Sequence, residues 1–262
     1  QTALCWGFCF SLFLLLHRAF FALLISGAYL YLLAGLCCML YRLRPGAFLE
    51  PARYLQRELP IFLGFFPEEA GTEGSAAPSG GEVRDRGVLF LSAVILVLLL
   101  IQLCRINIAY DYDSLRYGLR SPYVLLGGEG LSGFLRNPGL VNTVYTYSKG
   151  FELLTLPLSF SGSYTYVLCA NAWFLAGCIF LCGKMGGFLT GIRGSETLCG
   201  FFAALMPGIT NMAVTAKSDL ATLFFQLAFL YLVLRYLKDR GTKRPACVGL
   251  GLAALFASYA LK

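Results

Sequence analysis

Apolar runs of about twenty residues constrain this chain more than any other feature. Residues 88–106, 164–182, 196–212, 218–237 and 247–261 are nearly free of charge, and 3–16 and 19–41 read the same way. A bilayer core of ~30 Å takes roughly 20 apolar helical residues. A chain built of such runs is expected to be an all-α, polytopic transmembrane protein with about six or seven spans. Composition agrees. Hydrophobic residues make up 58% of the 262, charged residues 13%, and mean hydropathy is +0.69. A soluble domain runs near a quarter charged. Disorder, collagen, coiled coil and an ordinary cytosolic enzyme are excluded on these grounds.

The formal net charge is +7. The basic residues lie between apolar runs, so they set orientation in the membrane and give no nucleic-acid footprint. Lys and Arg crowd into segments 42–87, 184–193 and 235–244, and the last holds Arg235, Lys238, Arg240, Lys243 and Arg244. These are expected on the cytoplasmic side. Segments 107–163 and 213–217 are then extracytoplasmic, in a multi-pass protein of the cell membrane. Arg116, Arg120, Arg136 and Lys149 fall in the long external segment, but they are spread out, and long loops weigh less.

The domain reading follows. Residues 1–42 form an N-terminal hairpin or helices, with a possible turn at His17-Arg18, although no Gly or Pro marks it. Residues 43–87 form a cytoplasmic loop. Within it an amphipathic surface helix is expected around 51–66 and a Gly/Ser-rich flexible linker at 71–81. Residues 88–262 form the membrane domain. Gln1 opens inside an apolar run and Lys262 closes directly after another. The chain is therefore expected to be the N-terminal part of a longer protein, with no signal peptide.

The ten cysteines lie mostly inside apolar runs, there is no CxxC pair, and His17 is the single histidine. They are expected to be small apolar fillers, and no tightly bound metal is expected.

The spans carry almost no charge, which argues against ion-coupled transport. The carboxylates gather at the external mouth: Asp111, Asp113, Glu129, Glu152 and Asp219. Three segments there could carry chemistry. The segment 109–123 starts as a span exits, and a carboxylate at a helix end is well placed as a base toward a membrane-borne substrate. The alternative is an interfacial loop with tyrosines in the aromatic belt and Asp111 and Asp113 paired to Arg116 or Arg120. The segment 145–158 reads as a short interfacial helix ended or kinked by Pro157. Its Lys149 suits a lipid phosphate, or equally snorkels to water. The segment 215–221 opens a span, and Ser218 or Asp219 there is an N-cap or a site residue facing Asp113.

At these three segments the chain resembles the bacterial polytopic glycosyltransferases of the GT-C fold, related to dolichyl-phosphate-mannose protein mannosyltransferases. The resemblance rests on Asp113-Ser114-Leu115-Arg116-Tyr117 with Pro122 following, on Tyr147-Ser148-Lys149-Gly150-Phe151-Glu152-Leu153-Leu154, and on Ser218-Asp219-Leu220. The small-residue run 257–261 ending in Lys262 adds to it. It covers roughly 88–262. Two positions depart from the pattern: Gly118, where relatives often have His, and Ser148, where Pro is usual.

The resemblance implies transfer of a sugar from a polyprenyl-phosphate lipid to an acceptor hydroxyl on the extracytoplasmic face, with inversion. It implies Asp113 as general base, with Asp111 beside it. Lys149, Arg116 and Arg120 would meet the lipid phosphate, and Tyr117, Glu152 and Asp219 would contact sugar or acceptor. Some members use a divalent metal and others none; no cofactor is expected here. The sugar and the acceptor stay open. The rival class is non-enzymatic: a lipid or small-molecule transporter, a flippase or a membrane scaffold.

Overall fold

A computed structural model describes residues 2–64, 86–106, 111, 112, 114, 118, 150–159, 163–192, 194–238 and 244–261. Every element among them is helical: α1 (Thr2–Arg42), a 3-10 helix (Pro45–Leu49), α2 (Glu50–Phe62), α3 (Arg86–Arg105), α4 (Gly150–Ser159), α5 (Thr165–Thr190), α6 (Ser195–Leu205), α7 (Pro207–Met212), α8 (Asp219–Lys238) and α9 (Arg244–Leu261). Four stretches are long and apolar enough to cross a membrane: His17–Arg42, Arg86–Arg105, Thr165–Thr190 and Asp219–Lys238. Ser195–Leu205 and Ala246–Leu261 are shorter apolar helices. The chain is a membrane protein of all-α build. Its outward apolar side chains, such as Phe20, Leu36, Phe90 and Phe256, are the surface that acyl chains would cover.

Two expected boundaries move. The turn at His17-Arg18 is absent, because α1 is helical through both residues; with neither Gly nor Pro there, nothing local breaks the helix. The run 196–212 is not one span. Met206 is extended (φ −70°, ψ 111°), and Pro207 opens α7 as its first residue. Proline lacks an N–H and disfavours helix in the residue before it, so the break falls at Met206.

Helix α5 is the central element. In its most apolar stretch 56% of residues are buried, against 11%, 22% and 17% in the other three candidate spans. Leu175, Ile179, Cys169 and Cys178 are almost fully buried on it. The last two are free thiols that donate weakly to the carbonyls of Ala19 and Leu220. Helix α5 ends at Gly191, whose left-handed φ of 64° lets its N–H reach Gly187 O at 2.8 Å. The chain then reverses into α6.

Helices α5 and α6 approach closely through small residues. A Cβ on Gly183 would lie 2.6 Å from Glu196 O and 2.4 Å from the Phe62 ring, and one on Gly186 would meet Cys199 Sγ at 2.3 Å. On α6, a Cβ on Gly200 would meet the same Phe62 ring at 2.7 Å. Small residues at such spacing let backbones pack where lipid gives no hydrophobic drive between helices. Helix α2, the expected amphipathic surface helix, plugs the end of this seam with Phe62. Thr197 Oγ1 donates to Phe62 O at 2.6 Å.

Leu43 follows α1 in the left-handed region (φ 51°) with 89% of its surface open. Glycine is the residue that adopts this conformation freely, and leucine there costs about 1–2 kcal/mol.

Gly183→Ala is expected to lower stability by about 1–3 kcal/mol through overpacking. Gly46→Ala, which meets open space, should be near neutral. Apparent melting temperature in one detergent compares the two.

Candidate functional site

The helices carry their polar ends to two places. Helices α8 and α9 are consecutive and pack side by side, so Leu261 returns to the end where α8 begins. Helix α4 joins that end, since a Cβ on Gly150 would press on Ala260 and Leu261. Tyr29 of α1 donates to Leu154 O at 2.7 Å and fixes α4 from the other side. The end of α3 is tied in by Arg105, which donates to Gln102 Oε1 at 2.9 Å and to Asn211 Oδ1 at 3.2 Å.

Asp111 lies just beyond α3. Its Oδ2 accepts from Ser114 N and from Ser114 Oγ, both at 3.0 Å, and meets Lys217 Nζ at 3.5 Å. A carboxylate taking the backbone N–H three residues on is a helix N-cap arrangement. Burial would raise the Asp111 pKa. The Ser114 hydrogen bonds and the Lys217 charge outweigh that and hold the carboxyl below the usual aspartate range. Ser114 Oγ in turn accepts from Ala216 N at 2.7 Å, and Gly118 lies so close to Ala216 O that no side chain would fit. The departure at Gly118 thus has a packing reason.

The turn before α8 is held from inside the bundle. Asn171 of α5, fully buried, donates from Nδ2 to Thr215 O at 2.5 Å and to Lys217 O at 3.1 Å. Among the described residues its Oδ1 has no hydrogen-bond partner, nor has Thr222 Oγ1 one turn into α8. Asp219 is exposed in the first turn of α8, where a negative charge suits the helix dipole. Glu152 is buried on α4.

Of the expected site residues, then, Asp111 and Asp219 flank one network, and Glu152 belongs to the same end on α4. Asp113, Arg116, Tyr117, Arg120 and Lys149 lie outside the described residues. Ser114, Asn171 and Lys217 were not singled out from sequence as site residues. The Asp-x-x-Ser spacing of 111 and 114 was a usable capping signal. Nothing local marks Asn171 or Lys217, whose partners are 44 to 106 residues away.

The opposite end corrects the sequence reading. Lys184 was placed in a loop at 184–193, but α5 runs on to Thr190 and Lys184 is 6% exposed on it. Its Nζ sits 2.7 Å from Glu58 Oε2 and 2.8 Å from Glu196 Oε2. The two carboxylates come from α2 and from the first turn of α6. Glu58 also accepts from Arg57 at 2.7 Å. Burial acts to raise the Glu58 pKa, yet the hydrogen bonds from Lys184 and Arg57 keep it low. A lone ammonium at this depth would be costly; two carboxylates make it tolerable.

Among the described residues no three His, Cys, Asp or Glu side chains converge as metal ligands. No family model, curated protein or solved structure matches the chain.

Lys184→Met should lower stability by about 2–4 kcal/mol, since it leaves two partly buried carboxylates facing each other. The triple variant Glu58→Leu/Lys184→Met/Glu196→Leu should recover most of that loss in the same thermal assay.

Asp111→Asn should cost about 1 kcal/mol at pH 7. The folded pKa is depressed, so this contribution is complete above the ordinary aspartate value of about 4. It fades as pH falls through the lower folded value. Melting wild type and variant from pH 7 down to pH 3 should show the two curves converging at the acid end.

Proposed function

We propose that the chain belongs to a membrane glycosyltransferase of the GT-C kind, which moves a sugar from a polyprenyl-phosphate donor to an acceptor hydroxyl on the extracytoplasmic face. One observation carries the reading. Two carboxylate-bearing segments that resemble the family, 111–118 and 215–219, come from distant parts of the sequence and touch at one end of the spans.

Direct displacement with inversion is the chemistry that fits. The acceptor oxygen attacks the anomeric carbon, the bond to the lipid phosphate breaks, and the acceptor proton passes to the Asp113 carboxylate. The transition state has oxocarbenium character. Charge grows on the departing phosphate and calls for fixed cations. Lys149, Arg116 and Arg120 are proposed for that work. Lys217 is a further cation at the same end, 3.5 Å from Asp111. Asp111 acts as a positioning residue: its N-cap contacts shape the segment to which Asp113 belongs. Glu152, Asp219 and Tyr117 are proposed for sugar or acceptor contacts. The side of the membrane rests on the Lys and Arg distribution: Arg42, Arg86, Arg235 and Lys238 mark the end away from Asp111.

A transporter, flippase or scaffold is the second reading. What favours it is that Asp111 already has structural partners, as in a plain interfacial cap.

The test is sugar transfer by the full-length parent protein given a panel of polyprenyl-phosphate sugars. Asp113→Asn should lower transfer by roughly 10²–10⁴-fold without shifting the melting temperature. Transfer at the wild-type rate would remove Asp113 as the base. A wild-type protein that neither transfers nor retains any polyprenyl phosphate in native mass spectrometry would favour the non-enzymatic reading.

A further inference from the structure

The segment 42–62 has no task in the proposed reaction, yet its side chains are sorted in an unusual way. One face of α2 is spent on the bundle. Tyr54 and Phe62 set their rings edge-on to Phe180, and Glu58 reaches Lys184. These positions recur every four residues, so they form one stripe facing α5.

The rest of α2 is open and divided, with Leu55 and Leu59 to one side of that stripe and Arg53 and Arg57 to the other. Leu55 and Leu59, one turn apart, are 47% and 42% exposed, and Leu49 just before the helix is 47% exposed. Leu43 adds a strained and almost fully open side chain beside them in the sequence. Among the described residues nothing covers Leu43 or the three other leucines. The charges interleaved with them are mostly basic: Arg42, Arg44, Arg53 and Arg57. Against them stand Glu50, already held by Arg42 at 3.3 Å and Arg44 at 2.8 Å, and Glu58, which faces inward.

Depth fits the same picture. Lys184 lies nineteen residues along α5 from Thr165, a rise of ~28 Å at 1.5 Å per residue. The hydrocarbon core is ~30 Å thick. Helix α2 therefore crosses α5 where acyl chains give way to headgroups. It lies at the end where α1 closes with Arg42 and α8 closes with Arg235 and Lys238.

We propose that α2 and the 3-10 helix before it are a membrane-surface anchor. Their exposed leucines enter the acyl boundary, and Arg53, with Arg57 through the part of its guanidinium not used on Glu58, binds the phosphates of anionic phospholipids in the bilayer that the chain itself spans. A short helix with leucines on one strip and arginines on the polar side nearly opposite suits that boundary, and the positive charge selects anionic headgroups over zwitterionic ones. The Glu58–Lys184 contact sets how α2 is rolled, so that the leucines point away from the protein. This inference rests on the membrane reading alone and stands whether or not the chain transfers sugar.

The experiment is hydrogen–deuterium exchange of the segment 50–62. The full chain is placed in nanodiscs of phosphatidylcholine alone, and in nanodiscs of phosphatidylcholine with phosphatidylglycerol. Exchange should be roughly 25-fold slower in the anionic bilayer, since each of the two arginines near such a surface is worth about fivefold. Arg53→Gln with Arg57→Gln should abolish the difference between the two bilayers. Leu55→Ser with Leu59→Ser should speed exchange in both. Native mass spectrometry of the same samples should show fewer retained phosphatidylglycerol molecules on the arginine variant, a readout that holds even if that variant frays α2.

Equal wild-type exchange in the two bilayers would overturn the proposal. So would slowing that persists in the arginine variant together with unchanged lipid retention. Protection that grows with the number of protein copies per disc would overturn it too, making this face an interface between copies.

Discussion

Lys184 joins three segments through one ammonium, and the arrangement of one whole end of the molecule depends on it. Without Glu58 and Glu196 the charge would have to leave the bundle, and α5 could not stay buried at Gly183 and Lys184. Without Lys184 the two carboxylates would repel across the seam that α2 closes. Arg57 extends the set outward: Arg57, Glu58, Lys184 and Glu196 alternate in sign from solvent to interior. Two positive and two negative charges balance, so no net charge is drawn into low dielectric. Glu196 also lies in the first turn of α6, where the helix dipole favours a carboxylate.

The other end is held differently. There the chain uses neutral hydrogen bonds to backbone: Asn171 to two carbonyls, Ser114 to an amide, Tyr29 to a carbonyl. The Asp111–Lys217 pair, at 3.5 Å and partly exposed, adds less than a fully buried pair would cost to break. The contrast is physical. Charges locked in a closed chain fix a helix but can do no chemistry. At the other end hydroxyl, amide and carboxylate groups form a looser network. Asn171 Oδ1, with no hydrogen-bond partner among the described residues, is part of that looser end. A buried unpaired carbonyl costs about 1–3 kcal/mol, and such debts cluster where a protein acts.

Much of the fold was legible because bilayer thickness is a length filter. The runs 88–106 and 218–237 fall within two residues of α3 and α8. The amphipathic pattern near 51–66 is α2. What failed had a shared cause. Lys184 and its neighbouring glycines look like the end of a span, since glycine weakens helices and lysine marks an interface. The helix continues because Glu58, 126 residues earlier, and the close packing of α6 stabilise it. At 196–212 the apolar count was right, but one proline outranked it. At 17–18 two polar residues suggested a turn that no backbone feature required. Of the site, single segments could be read, while their meeting could not: Ser114 and Ala216 are 102 residues apart.

The glycines of α5 explain why the two ends can be so unlike. Gly183, Gly186 and Gly187 bring α6 close only over the last turns of α5, where Glu196 must reach Lys184. Toward the other end the same helix instead presents Phe174, Asn171 and Cys169 to α8, the turn before it and α1. There the amide of Asn171 is seated between the carbonyls of Thr215 and Lys217. One helix thus passes from charge-locked contacts at one end to neutral hydrogen bonds at the other. The gradient places rigidity at the end where α2 must be held, and adaptable polar groups at the end where Asp111 and Lys217 face each other.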